Sequence, residues 1–145
     1  MIYDRTIDDV NDAINIRNRG MPFSESDIEV LERGMVTINT LNRIEQKQSE
    51  LKDILNDMGY FNISIENKQW SYTDVFDESN FDRIVENNVL LRKAFFTSSN
   101  APKDAIAIYH YREFNALEQI LYDLQQMAEY VKSKYRLCGT FNCGG

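Results

Sequence analysis

The 145-residue sequence is poor in the residues that most site chemistry requires. It has one histidine, His110, and two cysteines, Cys138 and Cys143, both close to the C-terminal end. A lone histidine leaves a triad or dyad without its usual partners, and hydrogen bonding or packing between Tyr109 and Tyr111 in a partly buried setting is the simpler expectation for it. Two cysteines cannot build a disulfide framework, and Cys138-x4-Cys143 supplies half of a zinc site with the other ligands missing. There is no glycine-rich phosphate loop. No stretch approaches the roughly 18 uninterrupted apolar residues that span a bilayer, and Met1–Asp12 lacks the basic-plus-apolar layout of a signal peptide. A net charge of −7 without a basic stripe argues against nucleic acid as a partner. The small basic group Lys132, Lys134 and Arg136 fits cations favoured near a helix C-terminus. Acids are plentiful, but no spacing singles out a carboxylate pair for general acid–base work. The expectation is a non-enzymatic chain with no metal, cofactor or small-molecule substrate, and no nucleic-acid or membrane partner.

What is present is apolar periodicity at helical spacing. With 43% apolar residues, the chain can fill one core or a few helical modules sharing one. Thr6 with Asp9 reads as a capping box that opens a helix ended by Gly20. Ser24 with Asp27 opens another, which runs as far as Gly59 along two apolar seams. Those seams meet with an extra three-residue step between Ile38 and Leu41, close to Gly34, Thr37 and Thr40. The step marks a kink or a break into two helices. Tyr60–Ile65 alternates as a short strand would, and residues 105–111 are strand-like enough to pair with it. Asp77 and Ser79 prepare another helix, in which Ser79 with Asp82 repeats the capping-box spacing before Phe81, Ile84, Asn88, Leu91 and Phe95. Phe114, Leu117, Leu121, Leu124, Ala128, Val131 and Tyr135 then keep a strict 3, 4 alternation, with Gly139 as the stop. These patterns predict a mainly α protein: a multi-helix bundle with long heptad-bearing helices and at most a small two-stranded β element. The predicted organisation is an N-terminal helical module (1–60), a second module with a short strand, Trp70 and a helix (61–110), a long C-terminal helix (111–137) and a flexible Cys/Gly tip (138–145), all in one structural unit.

One phrase recurs within this frame. Leu41-Asn42-Arg43-Ile44-Glu45, Phe81-Asp82-Arg83-Ile84-Val85-Glu86 and Phe114-Asn115-Ala116-Leu117-Glu118 each follow an apolar residue with Asn or Asp, an apolar residue three on and Glu close behind. Helix capping accounts for Asp82 and Asn115 near a helix start. Asn42 has that explanation only if a helix restarts near Thr40. Gln48, on an otherwise apolar seam, suggests register or partner specification at some cost in stability.

Leu41–Glu45, together with Trp70-x3-Asp74-Val75 and Asn80-Phe81-Asp82-Arg83-Ile84 with Asn87, resembles small structural proteins of tailed bacteriophages and prophages of Gram-positive bacteria. Thr6-x2-Asp9-Val10 gives the first copy a matching prelude without the Trp. The chain departs from that pattern at Asp82, where Asn is commoner, at Val85 before Glu86, and by the insertion Ser24–Thr37. The resemblance implies a virion component of the tail, baseplate or fibre region, made in the host bacterial cytoplasm. Its partners would be other virion proteins and further copies of itself in a symmetric assembly. A head or neck position, or a cytosolic helical regulator that binds a partner helix, are the alternatives. The residues expected to cap helices and pair across them are Asn42, Arg43, Glu45, Gln48, Asp82, Arg83, Glu86, Asn115 and Glu118, with Trp70 as an anchor of the second module.

Overall fold

The computed structural model describes residues 1–105 and 110–140, and past Lys134 it is described as backbone alone. The protein is mainly helical: α1 (Ile7–Arg19), α2 (Glu25–Gly34), α3 (Ile38–Asp57), α4 (Glu78–Ala94) and α5 (Tyr111–Thr140). Thr6 with Asp9 and Ser24 with Asp27 form complete capping boxes, as their spacing predicts. The seam irregularity is a true break. After Gly34 the backbone is extended at Met35, and Thr37 caps a new helix through the Thr40 N–H. β-Branched Val36 and Thr37 behind a glycine favour that interruption.

Gly34 also has a packing role. A Cβ there would lie 2.1 Å from the Asp9 carbonyl oxygen and 2.6 Å from the Ala13 Cβ. Its absence lets α1 and α2 close into a hairpin, tied further by the Arg33 guanidinium on Asp9 at 2.8 Å. This hairpin lies outside the main hydrophobic cluster.

Three sequence expectations are corrected. α4 is capped by Asp77, which accepts from the Asn80 N–H at 3.0 Å, and not by Ser79 with Asp82. Both spacings satisfy the rule, but Asp77 has the extended backbone that a cap requires. No β-strand occurs among the described residues. Asn62 has φ +68°, which breaks the extended run from Tyr60 to Ile65. Its suggested pairing with 105–111 falls partly on residues 106–109, outside the described residues. α5 runs past Gly139 to Thr140. The Cys138 side chain, Cys143 and residues 141–145 also lie outside the described residues.

The core is built from α3, α4 and α5, and its layers repeat. Leu41, Phe81 and Phe114 are buried; so are Ile44, Ile84 and Leu117; Gln48, Asn88 and Leu121; Leu51, Leu91 and Leu124; and Leu55, Phe95 and Ala128. Each set is one position per helix, and all three helices advance by the same 3, 4, 3, 4 steps. That spacing is the seam of left-handed supercoiled packing. Cross-helix contacts climb together: Phe81 meets Phe114 and, higher up, Asn88 reaches the Leu117 carbonyl. Likewise Glu45 pairs with Arg83, and Gln48 with Asn88. The three helices are therefore parallel, related by a pseudo-threefold rotation.

Parallel helices need long return segments. Residues 2–5, 60–76 and 95–105 act as straps, one ahead of each core helix, with the α1–α2 hairpin inserted between the first strap and α3. The third strap, where described, is held by Arg92 on the Pro102 carbonyl and Asp104, and by Asp123 accepting from the Ser98 N–H and hydroxyl at 2.6 Å each.

Two predictions follow from the local geometry. Gly34→Ala should destabilise the α1–α2 hairpin by about 1–3 kcal/mol from overpacking, read as faster hydrogen exchange in α1 and α2 than in α3–α5. Acid should also weaken the helix starts. The Thr6, Ser24 and Asn80 backbone N–H groups hold Asp9, Asp27 and Asp77 below the usual carboxylate range. Lys68, with the Ser71 turn, holds Asp74 down at about 2. A lowered folded-state value stabilises above the unfolded carboxylate range near ~4 and is lost as pH falls toward ~2. Stability measured by chemical denaturation should thus rise between those pH values, with a smaller slope in an Asp77→Asn variant.

Candidate functional site

The residues of the repeated phrase converge on the straps. Asn42, on the outward side of α3, brackets one residue of the second strap. Its Oδ1 accepts from the Trp70 N–H at 2.7 Å, and its Nδ2 donates to the Trp70 carbonyl at 3.1 Å. Asn115 on α5 does the same to the first strap, accepting from the Arg5 N–H at 3.2 Å and donating to its carbonyl at 2.9 Å. An Asn amide carries one acceptor and one donor group side by side, which is why it can satisfy both backbone groups of one extended residue.

The glutamate three residues on completes each clamp. Buried Glu45 accepts from the Lys68 N–H at 2.8 Å and the Trp70 indole N–H at 2.9 Å. Buried Glu118 accepts from the Ile2 N–H at 2.6 Å and from Arg5 at 2.8 Å. Each carboxylate then receives an arginine from the neighbouring core helix: Arg83 of α4 on Glu45, and Arg43 of α3 on Glu118 at 2.8 and 3.1 Å. Trp70 anchors the second strap, with its ring edge-on to Phe76 at 5.5 Å and under the Lys68 ammonium at 4.4 Å.

A second tier lies one turn above. Gln48 Nε2 donates to the Ile84 carbonyl and to Asn88 Oδ1, both at 2.8 Å, and Asn88 donates to the Leu117 carbonyl at 3.2 Å. Asn87 donates to Gln48 Oε1 at 3.1 Å and brackets Glu66 of the strap at 3.3 and 2.8 Å. The buried amides thus join the layers through hydrogen bonds, as a polar group on an apolar seam must.

The third copy of each device is missing in a consistent way. In α4 the position of Asn42 is Asp82, exposed, and the position of Glu45 is Val85. In α5 the position of Arg43 is Ala116, and that of Gln48 is Leu121. Glu86 does not occupy the glutamate place; it falls one residue beyond and is exposed, which corrects its alignment with Glu45 and Glu118. Neither Asn42 nor Asn115 caps a helix; both hold straps instead. Arg5, Asn67 (donating to the Glu45 carbonyl at 2.7 Å) and Asn87 belong to the network, yet the three phrases do not contain them. For Arg5 no local signal exists. Asn88 stands at the same seam step as Gln48, which is a readable sign.

His110 is exposed and stacks on Tyr111 at 5.0 Å, so the partly buried setting expected for it is not found. Among the described residues no three metal-ligating side chains gather, and no helix is long and apolar enough to cross a membrane. The cleft lined by Asn42, Glu45, Gln46, Ser49, Asn67, Lys68 and Gln69 is shallow, about 380 Å³, and Asn42 and Glu45 in it are already engaged by the strap.

Substitutions should rank by these roles. Glu118→Gln, which leaves two guanidinium groups without their carboxylate, should cost about 3–5 kcal/mol. Asn42→Ala and Asn115→Ala should each cost about 1–3 kcal/mol through unpaired strap backbone, and Asp82→Ala less than about 0.5 kcal/mol. Chemical denaturation of the four variants checks the order; equal losses at Asp82 and Asn42 would contradict it. Compared with known proteins, the chain matches no family model, no curated protein and no solved structure.

Proposed function

We propose that this is a non-enzymatic structural protein of a bacteriophage particle, joining or decorating the tail, baseplate or fibre region. The observation that carries the reading is the use made of the motif on which the resemblance rests. Asn42, Arg43, Glu45, Trp70 and Arg83 spend their polar groups on holding straps and neighbouring helices, which is an architectural task. A particle component must fold alone in the host cytoplasm and then present a rigid body to a repeating assembly. A polar-clamped parallel bundle suits both demands. Its partners are other virion proteins and further copies of itself. A head or neck position is the second reading within the same class, since the motif favours the particle over any one part of it.

The test is mass spectrometry of purified particles from a phage or induced prophage carrying the gene. Stoichiometric recovery in particles, and retention in the tail fraction after heads and tails are separated, is the expected result. Recovery only in the soluble lysate would favour a cytosolic helical regulator and end the virion reading. An Arg43→Ala, Arg83→Ala double variant should lower incorporation at least about tenfold by loosening both buried carboxylates, a change corresponding to about 1.4 kcal/mol. Normal incorporation of that variant would remove the role assigned to the two arginines.

A further inference from the structure

The α1–α2 hairpin is packed on itself more than on the bundle that carries it. Its buried residues are Ala13 and Gly34, which meet across the pair. Arg33 on Asp9 at 2.8 Å, and Arg19 on Asp27, tie one helix to the other. Among the described residues, none of the hairpin's apolar side chains belongs to the cluster built on α3, α4 and α5. Contacts concentrated inside a supersecondary unit, with few to its surroundings, make that unit move and open as one.

Both ends of the hairpin leave anchored chain through extended residues. Arg5 is buried in the clamp of Asn115 and Glu118, and Thr6 directly after it is extended. Met35 and Thr37 are extended too, and Thr40, in the first turn of α3, is buried. Residues at element ends are where hinges absorb backbone rotation. Few polar ties cross these points among the described residues. The Thr37 hydroxyl and the Asn39 amide donate to Glu32 at 2.6 and 2.9 Å. Arg33 reaches the Asp4 carboxylate and carbonyl at 3.4 Å each, but the Asp4 side chain is 70% exposed and that pair holds little. Between hairpin and bundle lies a cleft of about 340 Å³, with Ile7, Val10 and Val36 facing Tyr111 and Phe114 of α5. Ile7 is still 54% exposed there.

We propose that the hairpin is a hinged arm and that Glu32 is its latch. The arm turns as one body about Arg5–Thr6 and Met35–Thr37, while the three-helix bundle keeps its shape. Turned in, it brings Ile7 and Val10 over the start of α5. Turned out, it parts them from Tyr111 and Phe114 and widens the cleft. Glu32 holds the inward position because it is the carboxylate of α2 that Thr37 and Asn39, on the far side of the hinge, both grip. The motion is a property of the single chain and does not rest on the virion reading.

Distances between paired spin labels on the full chain, measured by pulsed electron resonance, test it. Cys138→Ser and Cys143→Ser clear the background, and labels go on exposed positions. Asn18→Cys with Gln126→Cys spans arm and bundle. Asp12→Cys with Glu29→Cys lies within the arm, and Lys93→Cys with Gln126→Cys within the bundle. The spanning pair should give a distance distribution at least about twice as broad as either control. Glu32→Ala should broaden it further while both controls and the circular dichroism spectrum stay as they were. A spanning distribution as narrow as the controls, one that Glu32→Ala leaves unchanged, or an arm control as broad as the spanning pair would each overturn the proposal.

Discussion

Three helices that run the same way must be joined by chain that travels back along the bundle, and that returning backbone needs partners for its N–H and C=O groups. A β-ladder is one answer, and the described straps do not use it. Here the partners are side chains on the helices: the Asn42 amide on Trp70, the Asn115 amide on Arg5, the Asn87 amide on Glu66. Apolar seams join α3, α4 and α5, but they do not decide where the straps lie. The clamps fix the straps in the grooves, and the straps in turn place Trp70 and Phe76 beside the first apolar layers.

Burying Glu45 and Glu118 is expensive unless each carboxylate is surrounded by donors. Glu118 meets that condition with Arg5, Arg43 and the Ile2 N–H, and Glu45 with Arg83, the Trp70 indole and the Lys68 N–H. The third junction meets it differently, by having no charge to compensate: Ala116 and Val85 replace the arginine and the carboxylate together. Losing both partners is tolerable where losing one is not, because a single survivor would be a buried unpaired charge. In the second tier the apolar member is Leu121, at the place of Gln48 and Asn88, and there the α4–α5 junction has a polar contact from Asn88 to the Leu117 carbonyl.

An architecture of this kind gives a single-chain bundle whose straps are tied by side chains. In the proposed role, that tying is the useful property, since a component of a repeated assembly must present the same geometry at every site. The α1–α2 hairpin, inserted between the first strap and its helix, is the element that departs most from the threefold pattern and gives one face its own shape.

Much of the fold was legible in the sequence, because helix starts and apolar seams are local properties. Thr6, Ser24 and the seams of α3, α4 and α5 are readable from spacing alone, and the irregular step before Leu41 announced the break at Met35–Thr37. The recurring phrase was legible too, but its meaning was not. Spacing marks Asn42 and Asn115 as alike, yet gives no hint that each brackets a residue 28 and 110 positions away. It also places Glu86 with Glu45 and Glu118, although only register around a shared axis shows that Val85 holds that place. Arg5 carries no local signature at all, and Asn87 stands out only within the motif of the resemblance, since the partners of both arrive only when distant chain is brought beside them. Local periodicity determined which segments are helices and which faces are buried. Only the tertiary structure decided that the helices are parallel and which polar side chain answers which backbone group, because both depend on contacts between segments far apart in the chain.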